Sequence, residues 1–248
     1  MRRVLILGGT AEARALAAEL AGELAGGGTH VVSSLAGRVT NPRLPVGEVR
    51  EGGFGGPDGL AAWLTAERID AVVDATHPFA ARMTASAAEA SARTGVPLLI
   101  LRRPGWRESP DDAWRRVASL EEAAARLADM PVERVFLTTG RRSLPVFTGL
   151  SGVWLLARSV DPPDAPVPAN VQVLLDRGPY TVEGERSLIL EHRLDVLVTK
   201  DSGGEMTVAK LLAARELGLP VIMVDRPPPP PGVRAVDSVA VAAAWAQG

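Results

Sequence analysis

Val4-Leu5-Ile6-Leu7-Gly8-Gly9-Thr10-Ala11-Glu12-Ala13 is the stretch that decides the fold. Its apolar run predicts a buried strand, and the two glycines stop it. Ala11 to Leu20 are strong helix formers with apolar positions at helical spacing. A strand, a tight glycine turn and a helix N-terminus together make an anion site. Backbone N–H groups point out of the turn, and the helix dipole favours negative charge. Doubly wound α/β proteins place nucleotide phosphates at this point. The full G-x-G-x-x-G spacing is absent, so a nucleotide site and a plain tight βα turn both stand open on these residues alone.

Composition agrees with an α/β architecture. At 248 residues the chain is long enough for one large or two small domains. Apolar content is 46% but aromatics are only 4%, which predicts a core of Ala, Val and Leu, as in parallel sheets covered by helices. A net charge of −2 argues against general attraction to nucleic acid or an anionic membrane. The absence of cysteine removes disulfides, thiolate catalysis and Cys-ligated metals. No His or acid cluster has metal-ligand spacing, so no metal site is expected. Four apolar residues after Met1-Arg2-Arg3 are too few for a signal-peptide core, and no run approaches the ~20 residues of a membrane span. The expectation is a cytoplasmic protein, monomeric or weakly oligomeric.

The chain repeats itself. Ile69 to Asp74 reads as a strand followed by Ala75-Thr76-His77-Pro78 and an alanine-rich helix, then Gly95 to Leu101 and Arg103-Pro104. Leu194 to Thr199 reads as a strand followed by Lys200-Asp201-Ser202-Gly203-Gly204 and a helix, then Gly218 to Val224 and Arg226-Pro227. Each half ends with a short strand, a serine and a helix, and Ser119-Leu120-Glu121-Glu122 forms a capping box. A break near Met130-Pro131 then gives two domains, 1–131 and 132–248. The new strand Arg134 to Thr138 ends in Thr139-Gly140-Arg141, parallel to Leu7-Gly8-Gly9. The predicted fold is α/β, with two Rossmann-like parallel-sheet domains facing each other across a cleft, the strand C-terminal ends carrying the site. Pro227 to Pro231 reads as a stiff extended connector.

Three strand ends carry candidate chemistry. After Thr29-His30-Val31-Val32 come Ser33, Ser34, Leu35 and Arg38, where an NAD site usually offers an acid. A carboxylate repels a 2′-phosphate, whereas Ser and Arg donate to it, so these residues point to NADPH over NADH. The cofactor-binding set is therefore Gly8, Gly9, Thr10, Ala11, Ser33, Ser34, Leu35 and Arg38. Thr76, His77 and Pro78 join it from the loop after Asp74, with Pro78 expected at the first helical position. In the matching loop of the second half, Lys200 and Asp201 are the catalytic candidates, and Ser202 and Gly203 suit anion contact. Asp201 as a helix cap is the alternative for that residue. The chain has two lysines, Lys200 and Lys210, which draws attention to the one at a strand end.

Leu7 to Arg14, Leu35 to Arg38, Gly52 to Gly56 (Gly-Gly-Phe-Gly-Gly), Asp74 to Ala80, Arg103 to Trp106 and Thr199 to Gly204 occur in this order over nearly the whole chain. The ordered set resembles the precorrin-6A reductase family of cobalamin biosynthesis. The resemblance implies a two-domain reductase that uses NADPH to reduce one double bond of a corrin-ring precursor, precorrin-6A, to precorrin-6B. The cofactor then carries the hydride chemistry, and the protein orients two rings and supplies a proton. A tetrapyrrole rich in carboxylates calls for cations, with Arg102, Arg103, Arg107, Arg141, Arg142 and Lys200 as candidates. Trp106 either stacks on the macrocycle or packs a loop. Candidate proton donors are Asp201, Lys200, Tyr180, His77 and bound water. Competing readings are the same reaction on cobalt-precorrin-6A, a tetrapyrrole methyltransferase, and a non-enzymatic NADPH-sensing module.

Overall fold

The structure, a computed structural model, describes residues 1–22, 29–37 and 43–248. The chain begins with β1 (Arg2–Leu7), α1 (Ala11–Gly22), β2 (Thr29–Leu35), β3 (Glu48–Glu51), α2 (Gly56–Ala66), β4 (Ala71–Asp74), α3 (Ala81–Thr94) and β5 (Leu98–Leu101). It continues through β6 (Trp114–Val117), α4 (Leu120–Ala128), β7 (Arg134–Leu137), a short 3-10 helix (Arg141–Val146), β8 (Trp154–Ser159), β9 (Val171–Leu175), α5 (Val182–Glu191), β10 (Val196–Lys200), α6 (Ala209–Glu216) and β11 (Val221–Val224). It closes with β12 (Arg234–Val236) and α7 (Val239–Gln247).

Two compact units result: Met1–Pro104 with Pro227–Gly248, and Gly105–Arg226. Each holds one six-stranded sheet, in the orders β12-β5-β4-β1-β2-β3 and β6-β11-β10-β7-β8-β9. All pairings are parallel. Replacing each strand by the one six later converts the first order into the second, except that the edge strands are exchanged. The repeat read from the sequence is therefore a repeat of topology.

That exchange corrects the expected boundary near Met130-Pro131. Strand β6 precedes that point yet pairs with β11, Trp114 opposite Val221. Strand β12 follows it yet pairs with β5, Arg234 opposite Leu99. Both are short edge strands of similar pattern, and nothing in their composition says which open sheet edge each will close. The connectors that carry the exchange contain Pro104 and Pro227 to Pro231. Proline cannot donate to a ladder, so these segments stay out of both sheets.

Burial explains the apolar runs. Val4, Leu5 and Ile6 are fully buried, because β1 is covered on both faces. One face packs Leu16, Ala17 and Leu20 of α1 and Ala242, Ala243 and Ala246 of α7. The other packs Leu60 and Leu64 of α2 and Ala87 and Ala90 of α3. Burying each large side chain is worth roughly 1.5–3 kcal/mol. In the second unit Phe136, Leu156, Leu197 and Met223 pack on Ile189 of α5 and Leu211 of α6.

Local signals hold with adjustments. Ser119 caps α4 by accepting from the Glu122 N–H at 3.0 Å. The return bond of the box goes from Ala118 N–H to Glu122 Oε2 at 2.8 Å, one residue earlier than the motif implies. Pro78 is not at the first helical position: residues His77 to Ala80 form a turn closed by Ala80 N–H to His77 O at 2.7 Å, and α3 starts at Ala81. Likewise α6 begins at Ala209 rather than directly after Gly204.

Candidate functional site

In the first unit the C-terminal ends of β1, β2 and β4 converge on the glycine turn. Gly8 N–H donates to Ser34 O at 2.9 Å, and Ala75 N–H donates to Leu7 O at 2.9 Å. Thr10 Oγ1 donates to Ala75 O at 2.7 Å and accepts from Ala13 N–H at 3.1 Å. One hydroxyl thus caps α1 and ties its start to the β4 end. Gly9 has φ +108°, and a Cβ built on it would meet no atom within 4 Å. The turn needs glycine for its backbone, and its outer side is open to an approaching group.

Two buried polar atoms at these strand ends have no hydrogen-bond partner among the described residues. They are Ser33 Oγ, at the end of β2, and Asp74 Oδ2, at the end of β4. Asp74 Oδ1 accepts from both the N–H and the hydroxyl of Thr76, at 3.0 and 2.7 Å. Orphaned buried polar atoms are costly, and a polar ligand lying over the strand ends would satisfy them. His77 Nδ1 accepts from Phe79 N–H at 3.2 Å. The proton of a neutral ring then sits on Nε2 as a donor, and His77 is exposed.

Ser34 has a partner that the sequence reading missed. Arg50 Nη1 donates to Ser34 Oγ at 2.9 Å and to Gly52 O at 3.1 Å, while Nη2 donates to Gly53 O at 3.2 Å. Its guanidinium lies 3.8 Å from the Phe54 ring centroid. Arg38, the cation expected here, lies outside the described residues. The β2–β3 register sets Arg50 opposite Ser34, a placement that no local sequence motif announces.

The second unit builds its loop around Asp201, which is 5% exposed. Asp201 Oδ1 accepts from Trp106 N–H at 3.0 Å, and Oδ2 from Arg116 Nη2 at 3.2 Å. Arg226 donates to Asp201 O at 3.0 Å and to Oδ1 at 3.5 Å. Trp106 Nε1 donates to Gly204 O at 2.9 Å. Both oxygens of Asp201 therefore accept, and it does not cap a helix. Lys200 Nζ donates to Thr139 O at 2.7 Å, and burial pushes its pKa down. That bond joins the Lys200 loop to the Gly140 turn.

Trp106, Lys200, Asp201, Ser202 and Gly203 come together, and Arg141 lies two residues beyond Thr139. Arg141 donates to Pro162 O at 2.9 Å and Asp164 Oδ1 at 2.8 Å. Arg103 belongs to the first unit, where it donates to Glu12 Oε2 at 2.8 Å in the first turn of α1. Next to Trp106 lies a buried polar cluster that joins Tyr180 and Lys210 to Arg158 and Glu185, a pair with no counterpart in the sequence reading. Arg158 donates twice to Glu185, at 2.6 and 3.2 Å, and stacks 3.8 Å from the Tyr180 ring centroid. Lys210 Nζ sits 4.9 Å from the Trp106 ring centroid and is buried, which lowers its pKa to about 7. Burial raises the Tyr180 pKa.

Among the described residues no group of His, Asp and Glu is arranged to hold a metal, and no helix is long and apolar enough to cross a membrane.

The precorrin-6x reductase CbiJ/CobK family matches residues 3–247. A precorrin-6A reductase of Rhodococcus erythropolis is 56% identical over 245 residues, covering 99% of this chain and 97% of the relative. A cobalt-precorrin-6A reductase of Priestia megaterium is 32% identical over 237 residues, covering 90% of each. A solved structure of a CobK precorrin-6A reductase superposes with a TM-score of 0.89 at 41% identity, covering 99% of this chain and 96% of that one.

Proposed function

This chain belongs to the precorrin-6x reductase family, and from that premise we propose that it reduces one double bond of metal-free precorrin-6A to give precorrin-6B, with NADPH as hydride donor. Identity of 56% to a reductase named for the metal-free precorrin, against 32% to one named for the cobalt form, favours the metal-free substrate.

The first unit fits a dinucleotide. The observation that carries this is the set of open requirements at its strand ends: a positive-φ glycine with free space outside it, and the unsatisfied Ser33 Oγ and Asp74 Oδ2. The N–H groups of Gly9, Thr10 and Ala11 suit a pyrophosphate. Ser33, Ser34 and Leu35 border the adenosine side, with Arg38 following in sequence. Thr76, His77 and Pro78 border the nicotinamide side. When bound, NADPH supplies the hydride.

The second unit takes the tetrapyrrole. Lys200 holds an ammonium at a strand end, oriented by its bond to Thr139 O. It pairs with a substrate carboxylate, and Arg141 adds a second cation. Ser202 and the Gly203 backbone complete the loop. Trp106 is fixed by both of its N–H groups and frames the loop. Asp201 acts through others, holding Trp106, Arg116 and Arg226 in place. Reducing a carbon–carbon double bond needs a proton on the carbon that does not receive hydride. Lys200 is the group in this loop with a proton to give, since both Asp201 oxygens already accept.

Transfer of deuterium from NADPH labelled at nicotinamide C4 to precorrin-6A, read by mass spectrometry of the product, tests this function. One deuterium per product supports it. Unlabelled or unreduced tetrapyrrole refutes it.

A further inference from the structure

The geometry points to Arg50 as the residue that reads the 2′-phosphate of the dinucleotide, and so as the determinant of NADPH over NADH. The inference rests on the proposed cofactor and deepens it.

Position comes first. Arg50 lies on β3 opposite Ser34 on β2. Ser34 O in turn accepts the N–H of Gly8, the first residue of the turn proposed to face the pyrophosphate. In a doubly wound sheet the end of β2 is where the adenosine ribose hydroxyls are met. Strand β2 itself ends without an acid, in Ser33-Ser34-Leu35, and Glu51 on β3 stands opposite Leu35. The first fixed cation beside that end is Arg50.

Orientation comes second. Three neutral acceptors hold the guanidinium: Ser34 Oγ, Gly52 O and Gly53 O. The Phe54 ring lies under it at 3.8 Å and the Trp63 ring at 5.6 Å. The Gly52-Gly53-Phe54 run therefore has a physical task, which is to wrap the guanidinium with two carbonyls and one ring face. Gly59 allows the wrap, because a Cβ there would sit 1.7 Å from Phe54 O. An aromatic face and backbone carbonyls fix a guanidinium without neutralising it.

Charge comes third. Arg50 has no carboxylate within ion-pair distance among the described residues, whereas Arg3, Arg93, Arg103, Arg116, Arg141, Arg158, Arg215 and Arg226 each have one. Of the five N–H donors of a guanidinium, three are used. Nε–H and one N–H of Nη2 remain. A half-buried, oriented cation with unused donors and no counter-charge is built for an anion supplied from outside. A phosphate dianion accepts such a fork with charge-assisted bonds.

The test compares binding of adenosine 2′,5′-bisphosphate and adenosine 5′-monophosphate, alongside NADPH and NADH, to the full chain. In the native protein the 2′-phosphate should tighten binding by at least about ten-fold. Arg50→Met should abolish that gain and leave the monophosphate and NADH affinities unchanged within about two-fold, the change expected where no charge-assisted bond is lost. Arg50→Lys keeps the charge without the fork and should retain part of the gain; it also serves if Arg50→Met does not fold. The assignment is overturned if both variants keep the full gain, as they would if Arg38 alone read the phosphate. It is also overturned if affinity for all four ligands falls together, which marks a loop lock. No gain from the 2′-phosphate in the native protein would instead refute the NADPH reading on which the assignment rests.

Discussion

Asp201 Oδ1 accepts the backbone N–H of Trp106 at 3.0 Å, which ties the end of β10 to a segment 95 residues earlier in the chain. The other oxygen takes Arg116. Gly105 lies so close that an added Cβ would stand 2.8 Å from Oδ2 and 3.0 Å from Oδ1. Asp201→Asn should therefore destabilise the protein by about 1–3 kcal/mol, because a buried acceptor is lost between two arginines. Gly105→Ala should cost a similar amount, about 1–3 kcal/mol, by overpacking a pinned carboxylate. Denaturant unfolding checks both. If Asp201 only positions its neighbours, folded Asp201→Asn keeps kcat within a few-fold; a proton donor would lose it.

Lys200→Met should raise KM for the tetrapyrrole by about ten-fold, the worth of one charge-assisted contact, while leaving the NADPH dissociation constant unchanged. Burial lowers the Lys200 pKa, so its charge is present at low pH and is lost on the alkaline side before the ordinary lysine value of 10.5 is reached. Substrate KM of the native protein should rise there and that of Lys200→Met should not. A fall in kcat as well would assign Lys200 the proton.

Gly9→Val places a β-branched residue at φ +108°, which costs about 1–3 kcal/mol in backbone strain. The space outside is open, so the protein should still fold. NADPH binding should weaken by about ten-fold or more, because the turn is where the backbone approaches the pyrophosphate. Isothermal titration of the folded variant decides it, and unchanged affinity would make the turn purely structural.

Lys210 gives a pH signature in stability. Its folded pKa is lowered to about 7 from 10.5. Below about 7 both folded and unfolded states carry the proton, and the folded state bears the full cost of a buried charge. Between about 7 and 10.5 the unfolded state binds more protons, so stability rises with pH. The Tm of Lys210→Met minus that of the native protein should thus be largest near neutrality and below, and should shrink steadily through that window.

The first strand, its glycine turn and α1 were legible because an apolar run, two glycines and a 3.6-residue period agree locally. The topological repeat was legible for the same reason. The exchanged edge strands were not, since β6 and β12 are three- or four-residue elements whose partners are chosen by sheet edges far away in sequence. At the site, the strand-end loops could be read, but the duties within them could not. Asp201 can be placed in its loop from sequence, but its contacts to Trp106, Arg116 and Arg226 reach across 95, 85 and 25 residues, and no local motif announces them. Arg50 is invisible in sequence because its partners are a neighbouring strand and backbone carbonyls. The Arg158–Glu185 pair spans 27 residues with no motif to announce it.

The most direct test of NADPH-dependent reduction of the metal-free precorrin is kcat/KM for oxidation of NADPH, followed by its absorbance, with metal-free precorrin-6A and separately with cobalt-precorrin-6A, each repeated with NADH. Turnover is expected with NADPH and the metal-free substrate, yielding a product heavier by two hydrogens, and a lower kcat/KM in the other three combinations. Equal kcat/KM with NADH, a higher value with the cobalt substrate, or NADPH binding without turnover would contradict it.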